Sequence, residues 1–175
     1  MIQDSQKTLR LKTYSEYATL DLGRALGAAL APGVIVLLSG DLGTGKTTLA
    51  RGVGGALGVS RVRSPSFTLV NEYHTSAFYI VHADLYRLEQ DGVEDLGLEE
   101  YHENSCVLLV EWPERWANPP EQDVLKVFIE SMSENERFFD ISSLGGIADL
   151  VLQNLQEAVK DGKIDPGVGL QLALD

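Results

Sequence analysis

Cysteine is almost absent: the chain has one, Cys106. A disulfide framework is thereby excluded, which fits a reducing compartment. The thiol sits in Cys106-Val107-Leu108-Leu109-Val110, an apolar run that reads as a buried strand, so packing rather than nucleophilic chemistry is its expected role. Long apolar stretches are missing too. The longest run about five residues, as from Val34 to Leu38, against the ~20 that a membrane-spanning helix needs. Met1 to Gln6 have neither a charged n-region nor an apolar h-region, so no secretory signal and a cytoplasmic location are expected. Basic residues are scarce as well: 14 Lys and Arg stand against 26 Asp and Glu, a net charge of −12. Such a surface repels phosphate backbones, so no broad direct nucleic-acid face is expected, although a local basic patch can exist.

What is present is the composition of a globular protein, 44% hydrophobic and 23% charged over 175 residues, the size of one domain. Residues 8–12 read as a short first strand. Thr13-Tyr14-Ser15-Glu16 matches the capping box, and a helix is expected from about 14 to 30, with Ala18, Leu22, Ala25 and Ala29 on one face and Pro32-Gly33 ending it. Val34 to Leu38 is apolar on both faces, as in a central parallel strand. A glycine-rich loop and a helix from about 46 to 57 follow. That helix carries Gly52, Gly54 and Gly55, each costing up to ~1 kcal/mol against Ala, which points to close packing on a neighbour.

Residues 67–74 and 77–83 read as strands. Residues 84–103 read as polar and irregular, with a helical turn near 92–95. Residues 106–111 form another buried strand, Asn118-Pro119-Pro120 a loop, and 124–130 with 137–143 a hairpin. Ile147, Leu150, Val151, Leu155, Ala158 and Val159 recur at helical spacing, so 146–160 is an amphipathic helix, followed by a loose tail. Strands and helices alternate first and strands dominate later. The expected fold is therefore α/β, with a mixed parallel and antiparallel central sheet flanked by helices. The expected organisation is one domain over 1–145, with 146–175 packed on it or extending from it.

Gly40-Asp41-Leu42-Gly43-Thr44-Gly45-Lys46-Thr47-Thr48 fits the phosphate-binding loop G-x-x-x-x-G-K-[ST]. Glycines let the backbone curl so that its N–H groups point at phosphate oxygens, and the helix opening at Lys46 adds its positive end. Lys46 is suited to neutralise β- and γ-phosphates, and the Thr47 hydroxyl to hold Mg²⁺. The preceding apolar strand and following helix are the context this loop requires. A dinucleotide fingerprint is a poor alternative, because Thr48 stands where its third glycine belongs.

Val107 to Glu111 ends an apolar strand on a carboxylate, which can hold Mg²⁺ or orient an attacking water; a solvated strand end is the plainer reading. Ser64-Pro65-Ser66-Phe67-Thr68 follows the helix where a nucleotide-sensing connection can run, although an ordinary Ser-Pro turn explains it as well. In His82-Ala83-Asp84-Leu85-Tyr86-Arg87, Asp84 can hold Mg²⁺ or a water and Arg87 can approach phosphate, whereas His82 reads as structural. The histidines at 74, 82 and 102 lack metal-ligand spacing. The acidic stretch from Glu89 to Glu103 reads as a solvated face or a partner surface. Trp112 and Trp116 read as packing residues, with Trp112 close enough to Glu111 to line the site.

The blocks GDLGTGKTT, SPSFTLVNEY, HADLYR and VLLVEW, in that order and spacing, resemble the bacterial TsaE (YjeE) family, the ATPases of tRNA threonylcarbamoyladenosine biosynthesis, from about residue 8 to residue 145. The resemblance implies slow hydrolysis of ATP to ADP with Mg²⁺, and action with two partners, TsaD and TsaB, in placing a threonylcarbamoyl group on an adenosine of tRNA, which is touched only indirectly. It implies a nucleotide cradle from Asp41 to Thr48 (Asp41, Leu42, Gly43, Thr44, Gly45, Lys46, Thr47, Thr48) with Trp112 beside it. Metal ligation falls on Thr47, Glu111 and Asp84, catalysis on Asp84 and Glu111, and a switch segment on Ser64 to Thr68. Thr44 stands where Ala is more usual, and the chain after about 145 has no counterpart. The rival readings are a small-molecule kinase, for which 112–120 makes a poor lid, and a nucleotide-gated binding module.

Overall fold

The computed structural model describes residues 7–103, 106–162 and 168–170. In chain order it comprises β1 (Lys7–Thr13), α1 (Glu16–Ala29), β2 (Ile35–Ser39), α2 (Lys46–Ala56), β3 (Val70–His74), β4 (Tyr79–Asp84), α3 (Gln90–Glu94), α4 (Leu98–Glu103), β5 (Val107–Glu111), β6 (Val124–Ser131), β7 (Arg137–Leu144), α5 (Gly146–Lys160) and β8 (Val168–Leu170). The described strands form one sheet in the order β3-β4-β5-β2-β6-β7-β1-β8. The four central strands β4, β5, β2 and β6 are mutually parallel, and β3, β7, β1 and β8 add antiparallel pairs at the flanks. This is the mixed α/β sheet that the alternation of apolar runs implies.

Strand β2 lies between two parallel neighbours, which explains why it is apolar on both sides. Val36 and Leu38 enter one core, with Leu22, Leu49 and Leu155 from the three long helices. Ile35 and Leu37 enter a second core on the opposite face, with Val93, Leu98 and Trp116. Cys106 is buried there, its thiol donating to the Tyr101 carbonyl at 2.8 Å, and burial pushes its pKa up. That environment leaves the thiol inert. Among the described residues no helix is long and apolar enough to cross a membrane.

Glycine sets how closely α1 and α2 approach. A Cβ on Gly23 would stand 2.3 Å from the Leu49 carbonyl oxygen, and one on Gly27 would stand 2.5 Å from that of Val53. From the other side, a Cβ on Gly52 would stand 2.2 Å from the Leu20 carbonyl oxygen. The expected close packing of α2 therefore holds at Gly52, and at Gly54, where a Cβ would stand 2.2 Å from the Val62 Cγ2. It does not hold at Gly55, where a Cβ would meet nothing within 4 Å.

Four further expectations are revised. The cap of α1 is Ser15, whose Oγ accepts from the Ala18 amide at 3.0 Å, not Thr13. Thr13 is claimed by pairing of β1 with Arg137, and its hydroxyl bonds Thr19 at 2.8 Å. Strand β3 begins at Val70 rather than 67, because the Leu69 amide closes a turn onto Pro65 at 2.6 Å with Leu69 at φ 66°. The stretch 84–103 contains two short helices, each anchored by a residue in the second core. Of the expected loose tail, 163–167 and 171–175 lie outside the described residues, while Val168–Leu170 pairs antiparallel with β1 at Leu11–Thr13.

The two glycine environments of α2 give opposite expectations. Gly52→Ala drives a methyl into backbone and should cost about 3 kcal/mol, the upper part of the overpacking range. Gly55→Ala should gain roughly 0.5–1 kcal/mol of helix propensity. Urea unfolding of the two variants checks this, and equal effects would contradict the packing described.

Candidate functional site

Strands β2, β5 and β4 end at the same edge of the sheet, and the site lies just beyond their carboxyl ends, where open α/β sheets bind ligands. After β2 the chain turns at Gly40, where φ is +134° and a Cβ would stand 2.2 Å from the Ile129 carbonyl oxygen. It enters α2 through Gly45 at φ +106°, a cap without a side-chain hydrogen bond. The loop between is braced by Thr44, whose Oγ donates to the Asp41 carbonyl at 3.0 Å. The first turn of α2 thus points its free backbone N–H groups and positive end at the loop.

Lys46, the first residue of α2, is only 5% exposed. Its Nζ donates to the carbonyls of Gly40 at 2.6 Å and Asp41 at 2.8 Å and lies 4.0 Å above the Trp112 ring. Burial lowers its pKa, opposed chiefly by the charge of Glu111. The sign is that of a desolvated cation: folding disfavours its charge, and an anion brought beside it restores that charge. Trp112 holds a left-handed conformation at φ 62°, with its amide on the Leu38 carbonyl at 3.1 Å and its ring 4.8 Å from that of Tyr86.

The parallel pairing of β4 with β5 sets Asp84 directly opposite Glu111. Both are buried, at 4% and 2% exposure. Glu111 accepts from the Thr47 hydroxyl at 3.2 and 3.3 Å and contacts His82 Nε2 at 2.9 Å. Asp84 Oδ2 accepts from Ser64 at 2.9 Å and Ser66 at 2.7 Å, and Oδ1 from the Tyr86 amide at 3.0 Å. A cavity of about 250 Å³ joins Lys46, Thr47, Ser64, Asp84, Glu111 and Trp112.

The sequence-derived candidates therefore converge on one cavity, with distinctions. Leu42, Gly43, Gly45 and Thr48 line it, whereas Asp41 contributes its backbone carbonyl and Thr44 braces the loop from outside. Neither Arg63 nor Arg87 lines it, and the Arg87 guanidinium lies 4.4 Å over the Phe67 ring. Among the described residues no three His, Cys, Asp or Glu side chains group closely enough to hold a metal by themselves. The oxygens of Thr47, Glu111 and Asp84 are hard donors, and they fit a cation such as Mg²⁺ that takes one or two protein ligands and completes its shell from phosphate and water.

Two participants escaped sequence reasoning. One is His82, fully buried against Glu111. The other is Arg137, which opens β7 and donates through Nε to the Thr44 carbonyl at 3.1 Å, with Nη1 on the Ser133 carbonyl at 2.8 Å. Arg137 lines a second cavity of about 260 Å³ with Thr19 and Thr44, sharing Gly43, Gly45 and Thr48 with the first. His82 lies in a block that the sequence singles out but in which it reads only as structural, and no local pattern marks Arg137, since each acts across the sheet.

Comparison with known proteins agrees with this architecture. The family model described as Threonylcarbamoyl adenosine biosynthesis protein TsaE matches residues 13–139. The tRNA threonylcarbamoyladenosine biosynthesis protein TsaE of Bacillus subtilis is 34% identical over 150 residues, covering 85% of this chain and 94% of that protein. The protein of the same name from a Nostoc species is 39% identical over 140 residues, covering 77% and 86%. The crystal structure of Bacillus subtilis YdiB superposes with a TM-score of 0.74 at 28% identity, over 90% of this chain and 99% of that one.

Asp84 holds the 64–69 segment through two serine hydroxyls. Asp84→Ala should loosen that segment locally, raising amide exchange across 64–69 by about tenfold, the equivalent of ~1.4 kcal/mol. Exchange in α1 and β2 should stay unchanged, as read by hydrogen–deuterium mass spectrometry. Unaltered exchange at 64–69 would show that the loop is held by other contacts.

Proposed function

This chain belongs to the TsaE family of threonylcarbamoyl adenosine biosynthesis proteins, and we propose that it is a Mg²⁺-dependent ATP-binding protein and slow ATPase that serves this tRNA modification together with TsaD and TsaB. The observation that carries the reading is the convergence of one buried lysine, a helix-opening threonine and two buried carboxylates around one cavity at a helix N-terminus.

On this reading Lys46 exchanges the Gly40 and Asp41 carbonyls for phosphate oxygens, a favourable trade for a desolvated cation. Amides at the start of α2 bind the same phosphates. Thr47 and Glu111 would hold the metal, with Asp84 in reach from the adjoining strand, and Mg²⁺ when bound would neutralise charge on the terminal phosphates. Glu111 also orients the attacking water. The second cavity, beyond the shared glycines, takes the nucleoside end, with Arg137 fixing its wall.

Contact with tRNA is indirect, in keeping with the net charge of −12. A role in tRNA modification implies the cytoplasm. The ATPase domain is 1–145, and helix α5 belongs to the same body, since Val151 and Leu155 are buried in the core shared with α1 and β2.

Calorimetry on two variants separates the assigned roles. Lys46→Ala should lower ADP affinity at least about tenfold, or ~1.4 kcal/mol. Glu111→Ala should bind ADP in EDTA as the wild type does, yet hydrolyse ATP slower by on the order of 10²-fold. Unchanged affinity in Lys46→Ala would sink the phosphate-cradle assignment. Loss of metal-free binding in a folded Glu111→Ala would give that carboxylate a different role.

A further inference from the structure

His82 is completely buried, and its Nε2 hydrogen-bonds Glu111 Oε1 at 2.9 Å. Its other ring nitrogen, Nδ1, has no hydrogen-bond partner among the described residues. The bonding pattern assigns the proton to Nε2, leaving Nδ1 a bare acceptor in the interior. On this side of the sheet Ile80 precedes it by two residues on β4, Leu109 is its partner on β5 and Asn71 its partner on β3. A leucine or phenylalanine would fill such a position without burying an unsatisfied nitrogen, so packing does not account for an imidazole here.

We propose that His82 is a positioning residue that fixes the Glu111 carboxylate for the divalent cation. This inference rests on the Mg²⁺ reading above and deepens it. Glu111 has three rotatable side-chain bonds. The Thr47 hydroxyl, at 3.2 and 3.3 Å, lies beyond the usual O–H···O separation and holds it weakly. The contact from His82 is the short one, and it comes from a fully buried ring on a strand paired on both sides. It engages Oε1, whereas the Thr47 hydroxyl lies at nearly equal distance from both carboxylate oxygens. The diagonal follows from the pairing register. Asp84 is opposite Glu111, and His82 lies two residues before Asp84, hence on the same face and one step deeper. The carboxylate is thus supported from beneath while its open edge meets the ligand. Outer partners of this kind orient metal ligands, and their removal characteristically weakens metal affinity.

The test is calorimetric titration of the full chain with ADP, in EDTA and in saturating Mg²⁺, for the wild type, His82→Phe and His82→Gln. Phe keeps the volume without the donor, and Gln returns an N–H near the position of Nε2. His82→Phe should keep the wild-type affinity in EDTA and lose about tenfold of the Mg²⁺-dependent enhancement, and His82→Gln should recover most of it. Enhancement fully retained in His82→Phe, or equal losses with and without Mg²⁺, would overturn the positioning role. A wild type without any Mg²⁺ enhancement would overturn the metal reading and this inference together.

Should His82→Phe fail to fold, ring ¹⁵N spectra of the wild type decide. The Nε2–H tautomer, with its resonance moved by adding Mg²⁺ to the ADP complex, supports the role. The opposite tautomer or an unmoved resonance refutes it.

Discussion

Three ionisable side chains buried in one cavity, Lys46, Asp84 and Glu111, form the constraint on which the rest of the site depends. Buried charge is tolerated only when it is paired and hydrogen-bonded. Here each charge is provided for. Lys46 has two loop carbonyls, Asp84 two serines and a backbone amide, and Glu111 a threonine and a histidine. Two carboxylates against one ammonium still leave an excess of negative charge. In the proposed function a divalent cation answers that excess, and phosphates answer the lysine.

The frame that holds these groups is rigid for identifiable reasons. Parallel pairing of β4, β5 and β2 fixes the strand ends that carry Asp84, Glu111 and the phosphate loop. Helix α2, whose first residues are Lys46 and Thr47, is seated on α1 through backbone contacts that only glycine allows at positions 23, 27 and 52. Precision at the loop is therefore set partly by helix packing a turn or two away. By contrast, the 64–69 segment is tied down through side-chain hydroxyls on Asp84, with Phe67 85% exposed.

Legibility in the sequence follows the range of the interactions. The phosphate loop is local: an apolar strand, glycines at fixed offsets and a helix announce it together, and the structure places Gly43, Gly45, Lys46, Thr47 and Thr48 in one cavity. The carboxylates at the ends of β4 and β5 were legible as strand ends, and their pairing follows from parallel register. Helix α1 was foreseen, but its cap moved from Thr13 to Ser15 because β1–β7 pairing outcompeted a local motif. Helices α3 and α4 were hidden by a polar composition in which Val93 and Leu98 are the buried anchors and Tyr101 packs beside them. His82 and Arg137 were invisible as participants, since one acts diagonally across two strands and the other grips a carbonyl 93 residues away.

The central claim of the proposed function is that the site binds and slowly hydrolyses ATP, while among the described residues no arginine lines the cavity of Lys46, Asp84 and Glu111. A supplied arginine or an ordered catalytic loop accelerates phosphoryl transfer by ~10³-fold or more. The measurement is therefore steady-state ATP hydrolysis by the purified chain in Mg²⁺, alone and with the TsaD–TsaB pair of the same organism. The account predicts a slow rate alone and a marked rise with the pair. A rate typical of kinases from the chain alone, with nothing added by the pair, would contradict it.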